Sequence, residues 1–524
     1  MDDQSTYQAE AFDDLTRWSL LACLKYGYRN TPSKRMTITP GGSISYADAF
    51  TQTCTLIHYF KTVCGIAPGK TVALSCPNLL RATLVIAAVE ACGARLAFLP
   101  STLARSDFEH YVSLVEPDLL IVATAEHCSM AHEVLSGVKL MSIGCRDVPV
   151  PCIDDVARGF AYGTEALKVS TLADQARYIV FSSGTTGQPK AIVNRALSFA
   201  YNGICLRRTL QFTAADIAFV PVPIAHVFGI VGLYAVLGGT GTLVTMEKFI
   251  PEDACALIEE TKTTLHLGVP TMYLRELRVN REGVYDLSSL RSGVVAGANC
   301  PETLILDYER CYGCRLMPSY GMSETAATLT VCDINLPVET RASTVGVAIE
   351  GADIRIAPEN NEILCKTPSM MEGIIRSDGT FDSGLDEEGW LHSGDVGEFD
   401  EYGRLRIIGR IKEMIIRGGI NIFPAEVERV YQEHPDVSEC CLMGYDDPEL
   451  GERTALSVIL RDGAAVSSIE LRSWSKGRIE KVKIPDIVLK MGDFPRLASG
   501  KIDKKALKRC VDKTLDSLGL AKHG

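Results

Sequence analysis

The chain has no H-E-x-x-H stretch, no second C-x-x-C beside Cys311-Tyr312-Gly313-Cys314, and no G-x-x-x-x-G-K-[ST] loop. The first two absences leave nothing at zinc-ligand spacing, and a thioredoxin-like context is missing around the C-x-x-C. The third excludes a Walker-type nucleotide site. Positive charge is also in deficit: 53 Lys and Arg face 65 Asp and Glu, a net charge of −12. No nucleic-acid or anionic-membrane role is expected, because both need a basic surface. An unbroken apolar run of about 20 residues, as a membrane span requires, is missing too. Residues 217–237 come nearest, and Pro221, Pro223 and His226 interrupt them; residues 227–246 are uncharged but contain the turn Gly238-Gly239-Thr240-Gly241. Met1-Asp2-Asp3-Gln4 offers no basic residue before an apolar stretch, so no secretory signal is expected. The 18 scattered cysteines then read as reduced thiols of a cytoplasmic protein.

What is present is a long chain of ordinary globular composition, 46% apolar and 23% charged. At about 100–200 residues per domain, its 524 residues make three or four structural units. An N-terminal helix with a polar lead is expected from Met1 to about Ile38, and Ser45 with Asp48 opens a second helix as a capping box. Strands at 71–75, 95–100 and 118–124 alternate with a helix at 79–92, the pattern of a layered α/β domain with a mostly parallel sheet. A second such system follows: helix 196–206, strand 217–222, loop 223–229 and helix 230–237. Strands 242–246, 264–268 and 291–296 then alternate with helices 251–261 and 271–278. Residues 354–408 turn short, Gly-punctuated and β-rich, a small β subdomain. Beyond Lys412 an α+β pattern of about 100 residues begins. The expected fold is α/β, a large N-terminal domain (1–411) and a small mobile C-terminal α+β domain (412–524).

The stretch from Ser182 to Lys190, Ser-Ser-Gly-Thr-Thr-Gly-Gln-Pro-Lys, follows the apolar run Tyr178-Ile179-Val180-Phe181. Glycines let backbone approach an anion, hydroxyls donate to phosphate oxygens, and lysine adds a point charge. Alone it reads equally as a flexible turn. Five more stretches concentrate polar groups: Tyr320-Gly321-Met322-Ser323-Glu324-Thr325, Trp390 to Asp395, Gly409 to Glu413, Arg417 to Glu426, and Pro495 to Ile502. Singly, Glu324 and Asp395 read as caps or turn acids, His226 as a loop histidine, and Lys501 as a solvated lysine.

In this order the stretches resemble the adenylate-forming superfamily, which includes acyl-CoA synthetases, aryl-CoA ligases, peptide-synthetase adenylation domains and firefly luciferase. The resemblance spans nearly the whole chain. It implies that a carboxylate attacks the α-phosphate of ATP, and that a thiol then displaces AMP. It assigns the β- and γ-phosphates to Ser182, Ser183, Gly184, Thr185, Thr186, Gly187 and Lys190. Glu324 is assigned to Mg2+ and the Ser323 hydroxyl to the α-phosphate. Tyr320 lies against adenine, Asp395 and Arg410 hold the ribose, and Lys501 bridges carboxylate and α-phosphate. Lys412 takes the hinge position of a rotating C-terminal domain, and Gly418 and Gly419 line the pantetheine path of coenzyme A. Departures are Ser323 where relatives more often carry Thr, Asn194-Arg195-Ala196 in place of a Thr-His or Ser-His pair, and no Gly before Glu362.

The acyl pocket is expected near His226, Val227, Phe228, Gly229, Ala296, Gly297, Ala298, Gly321 and Met322, with His226 as its gate. Amino-acid-activating members of the superfamily carry an Asp in this first loop to hold the substrate ammonium; none stands here, so an α-amino acid is not expected, and the small apolar residues suit a medium-size aliphatic or aryl carboxylate. The acceptor is CoA; the alternatives are a carrier-protein phosphopantetheine or, in another class, a non-catalytic nucleotide sensor.

Overall fold

Residues that alternate along a strand alternate between two apolar layers. In the strand Thr71–Ser75, Val72 and Leu74 enter one core and Ala73 another; in Leu119–Val122, Leu119 and Ile121 enter the first, Leu120 and Val122 the second. A computed structural model describes residues 14–135, 137–159, 172–183, 189–298, 300–376, 378–461, 463–496 and 502–517. Both strands belong to an eight-stranded sheet. Its order is Phe381–Asp382, Gly373–Ile375, Pro189–Arg195, Arg177–Ser183, Arg95–Leu99, Thr71–Ser75, Leu119–Val122, Lys139–Ser142. From Arg177–Ser183 onward the strands are parallel; before it they are antiparallel.

A second sheet has nine strands, and from Arg315–Tyr320 through Ser292–Val295, Leu265–Gly268, Ile217–Phe219 and Thr242–Val244 to Arg35–Thr39 they are parallel. The helices Ala82–Ala91, Ala196–Thr209 and Val227–Gly238 lie between the sheets. Every residue of Ala82–Ala91 is buried, as suits a helix apolar on all sides. One core joins Val72 and Leu74 of the first sheet to Leu265 and Leu267 of the second across these helices. Arg105–Val115 and Ala125–Val134 cover the outer face of the first sheet, and Pro251–Thr261, Pro270–Val279 and Glu302–Tyr312 that of the second. A four-stranded antiparallel sheet follows, Asp353–Ile356, Glu362–Lys366, Leu391–Phe399 and Leu405–Arg410. Residues from Ile415 on build a five-stranded sheet with cores of its own.

Three expectations need correction. The N-terminal helix Leu20–Asn30 stops before Ile38, which lies in the strand Arg35–Thr39. Pro32 biases the residue before it away from helix, and Arg35–Thr39 then pairs with Thr242–Val244. Val227, Phe228 and Gly229 form the first turn of a helix, not a loop. The segment Gly373–Ile375 leaves the β subdomain and extends the first sheet beside Pro189–Arg195.

The middle layer contains one carboxyl. Glu90 is fully buried, and its two oxygens accept from Leu20 N at 2.8 Å, from the Tyr178 hydroxyl at 2.9 Å, and from Tyr234. It thereby ties the start of Leu20–Asn30 to a strand of the first sheet and to a central helix. Burial pushes its pKa up to about 7 against the opposing effect of these hydrogen bonds. The unfolded chain ionises this group at a lower pH than the folded one. Stability from the protonated group is therefore full below the unfolded pKa and falls as pH rises toward about 7. Thermal unfolding of wild type and Glu90→Gln between about pH 5 and about pH 8 should show wild type losing Tm relative to the variant as pH rises. A constant difference would refute the linkage.

Candidate active site

The site forms where Arg315–Tyr320 reaches its carboxyl end. Parallel sheets place ligands outside that end. Tyr320 is followed by Gly321 and by the one-turn helix Ser323–Thr325. The chain then reverses through Ala326 and Ala327, with φ of 52° and 94°, and pairs antiparallel at Tyr320↔Thr330. These are left-handed angles at residues with a Cβ, each costing about 1 kcal/mol. A Cβ on Gly321 would stand 1.7 Å from the Ala327 carbonyl oxygen, so only glycine fits the reversal.

Asp395 arrives from the antiparallel sheet, directly opposite Arg410. The Tyr320 hydroxyl donates to Asp395 Oδ2 at 2.7 Å, and Arg410 Nε lies 2.8 Å from Oδ1. Asp395 is 3% exposed, and burial pushes its pKa up although Arg410 and Tyr320 both oppose the rise. Burial likewise raises Glu324, while Lys190 and Arg410 pull it down and Asp395 pushes it up. Lys412 is held below the usual lysine range by desolvation and by the like charges of Arg410 and Lys190. Lys190 sits on Pro189–Arg195, in register with Ser182. Five charged residues from four separate stretches thus share one electrostatic neighbourhood. Gly184, Thr185, Thr186, Gly187 and Lys501 lie outside the described residues.

His226 caps the helix Val227–Gly238, with Nδ1 accepting from Phe228 N at 3.3 Å. Val227 and Phe228 are buried in the main core, and a Cβ on Gly229 would meet the Pro223 carbonyl oxygen at 2.3 Å. Gly229 therefore serves a close backbone approach. Ala296, Tyr320 and Met322 pack against the same core. Gly297 has φ of 85°, and Ala298 lines a cavity of about 80 Å³ with Leu274 and, from the C-terminal part, Gln432, Cys440 and Ile502. Gly418 and Gly419, φ 57° and 81°, form the two-residue turn between Ile415–Arg417 and Ile420–Ile422. Two left-handed residues in such a hairpin turn favour Gly-Gly on backbone grounds alone.

The profile of the AMP-binding enzymes matches residues 25–375, and that of the AMP-binding enzyme C-terminal domain matches 426–501. The chain belongs to the AMP-binding enzyme family. Relatives of this AMP-binding enzyme include a putative acyl-CoA synthetase, YngI, from Bacillus subtilis, 32% identical over 65% of the chain and 64% of the relative's length. A feruloyl-CoA synthase from Amycolatopsis is 29% identical over 92% of the chain and 99% of its own. Among solved structures, ATP-bound MatB from Rhodopseudomonas palustris superposes with a TM-score of 0.82 at 24% identity, covering 94% of this chain and 98% of that one. The anthranilate CoA ligase AuaEII, in complex with anthranoyl-AMP, superposes at 0.83 with 20% identity, covering 94% and 97%. These two likenesses carry the fold.

Sequence reasoning missed the residues that hold the site's backbone. Glu362 accepts from Gly394 N at 2.8 Å and from His392 at 3.0 Å, which fixes the irregular stretch of the strand Leu391–Phe399 just before Asp395. Asn78 donates to Val222 O at 3.0 Å and accepts from Ile224 N at 2.8 Å, which fixes the loop before His226. Asn194 and Asn202 reach the turn after Met322. Only the departure from a Thr-His pair pointed to Asn194 in the sequence. Gly321→Ala should push the reversal off Tyr320 and weaken ATP binding about 100-fold, measured by calorimetry. Ala327→Gly, which relieves a left-handed alanine, should raise unfolding stability by about 1 kcal/mol. Unchanged ATP binding in the first variant would show that the turn does not shape the site.

Proposed function

We propose that this AMP-binding enzyme is an acid–thiol ligase. It joins a carboxylic acid to the α-phosphate of ATP and passes the acyl group to coenzyme A. The observation that carries the reading is the meeting of Glu324, Lys190, Arg410, Asp395 and Tyr320 at one sheet end. A carboxylate oxygen attacks the α-phosphorus, the bond from that phosphorus to the bridging oxygen breaks, and pyrophosphate leaves. The thiolate then attacks the acyl carbon, and AMP leaves as a good leaving group. Both reactants of the first step are anions, so fixed cations lower the barrier more than covalent help does.

Tyr320, Asp395 and Arg410 hold the nucleoside, and the Ser323 hydroxyl faces the α-phosphate. Ser182, Ser183, Gly184, Thr185, Thr186, Gly187 and Lys190 hold the departing pyrophosphate. The Glu324 carboxylate fits Mg2+: no described side chain hydrogen-bonds it, and burial without a bound cation disfavours its charge. Bound there, the ion would offset phosphate charge. Lys501 neutralises the reacting carboxylate and the α-phosphate. Lys412, in the one-turn helix Ile411–Glu413, is the hinge between a domain of residues 1–411 and one of 412–524. Gly418 and Gly419 border the path of the pantetheine arm.

The acid is of medium size, aliphatic or aryl; the uncharged run Val227, Phe228 and Gly229 beside His226 supports this reading. If His226 gates the pocket, each opening gives up a helix cap worth about 1 kcal/mol. The 18 cysteines are all free thiols, which supports a cytoplasmic setting, and no described helix is long and apolar enough to cross a membrane.

A panel of carboxylic acids with ATP, Mg2+ and free CoA should give AMP and an acyl-CoA thioester for medium-size apolar acids. Adenylate without thioester would move the acceptor to a carrier protein, and no adenylate with any acid would leave a nucleotide sensor. Lys501→Ala should slow acid-dependent pyrophosphate release about 100-fold or more, and unchanged release would remove that role. Lys412→Pro should spare adenylation and stall thioester formation; equal loss of both half-reactions would count against rotation.

A further inference from the structure

The turn that carries Ser323 and Glu324 is held from outside at four consecutive carbonyls. Asn194 Nδ2 donates to Ser323 O at 3.2 Å. Met371 N donates to Glu324 O at 2.8 Å. Asn202 Nδ2 donates to Thr325 O at 2.9 Å and to Ala326 O at 2.8 Å, and Ser369 Oγ adds a bond to Thr325 O at 3.0 Å. Asn194 and Asn202 are both 0% exposed. Each leaves its own Oδ1 buried with no protein partner among the described residues. A buried acceptor left unpaired is costly. The two carboxamides are thus oriented by the carbonyls they serve and not by their own satisfaction.

The elements that supply the donors matter. Asn194 lies on Pro189–Arg195, the strand that also carries Lys190. Asn202 lies in the helix Ala196–Thr209, which that strand enters directly. A single length of chain therefore delivers the lysine and both amides. The turn it holds passes at once into Ala326 and Ala327, whose left-handed angles of 52° and 94° would relax if the carbonyls were released.

We infer that Asn194 and Asn202 are positioning residues that clamp residues 323–326, so that the Glu324 carboxylate and the Ser323 hydroxyl keep a fixed aim relative to Lys190. The inference rests on Glu324 as the magnesium ligand. Asn202 is the stronger member because one Nδ2 serves two carbonyls. Loss of the clamp lets the carboxylate swing, and coordination suffers before nucleoside binding does. The nucleoside contacts, Tyr320, Asp395 and Arg410, hold one another independently of the clamp.

The test is calorimetric binding of the ATP analogue with a methylene group between the α- and β-phosphorus atoms, with Mg2+ and with EDTA. Wild type should bind more tightly with Mg2+, and Glu324→Gln should lose that gain. Asn202→Leu, of similar volume but without donors, should cut the gain about tenfold while binding in EDTA stays within about twofold. Asn194→Ala should cut it less, and it carries the test if Asn202→Leu does not fold. In the same variants kcat for acid-dependent pyrophosphate release should fall while KM for the acid holds. Equal Mg2+ gains in wild type and in the folded asparagine variants would overturn the clamp. Equal losses with Mg2+ and with EDTA would also overturn it, marking the asparagines as structural only. A wild type without any Mg2+ gain would instead remove the role of Glu324 itself.

Discussion

The Tyr320 hydroxyl donates to Asp395 across 2.7 Å, and Arg410 closes on the other oxygen of the same carboxylate at 2.8 Å. Tyr320 ends a parallel strand of the nine-stranded sheet, whereas Asp395 and Arg410 face each other across the small antiparallel sheet. These bonds join two structural layers, and the mouth of the site is the seam between them. A carboxylate buried to this degree is tolerated only with partners of this kind. Glu362 secures the arrangement by accepting from Gly394 N, within the irregular stretch of strand that precedes Asp395. Without the seam the residues at its edge would still fold, but they would not face a common space.

The seam needs a rigid bed, and the middle layer of apolar helices supplies it. Ala82–Ala91 and Val227–Gly238 have almost no polar face, so they can lie only between two sheets. Glu90 is the carboxyl that the three helices of that layer carry. It draws Leu20, Tyr178 and Tyr234 to one point and so ties the N-terminal helix to both the first sheet and a central helix.

Charges of both signs meet at the site over short reach. Glu324 and Asp395 stand against Lys190, Arg410 and Lys412, and burial works against the ionised form of each carboxyl. An anionic substrate such as ATP adds negative charge to a setting that holds three cations against two carboxyls. That is the environment in which fixed charges act most strongly on a transferring phosphoryl group. The turn bearing Glu324 has two left-handed alanines, and bonds from other elements add to its own, such as Ala327 N to Met322 O at 3.1 Å.

Much of this was legible in the linear chain. Two-residue and near-four-residue periodicities marked most strands and helices, because side-chain direction follows from backbone geometry alone. The helix Pro251–Thr261 matches the sequence expectation to the residue, and Ser45 caps the helix Tyr46–Tyr59 by accepting from Asp48 N at 3.1 Å. Glycine-rich and acidic stretches marked the site because their residue types are costly anywhere else. The sequence could not show that residues 373–375 return to the first sheet, that Val227 already lies in a helix, or that His226 is its cap. Asn194 and Ser323 stand 129 positions apart, and Asn202 and Thr325 stand 123 apart. In each pair one partner is a backbone carbonyl, which every residue possesses and no pattern can mark. By itself the sequence determined the layers, the family and the residue types at the site, because these rest on local periodicity and short motifs. Only the tertiary structure decided which distant donors hold the Glu324 turn, because hydrogen bonds to backbone depend on where chains meet and not on what residues they carry.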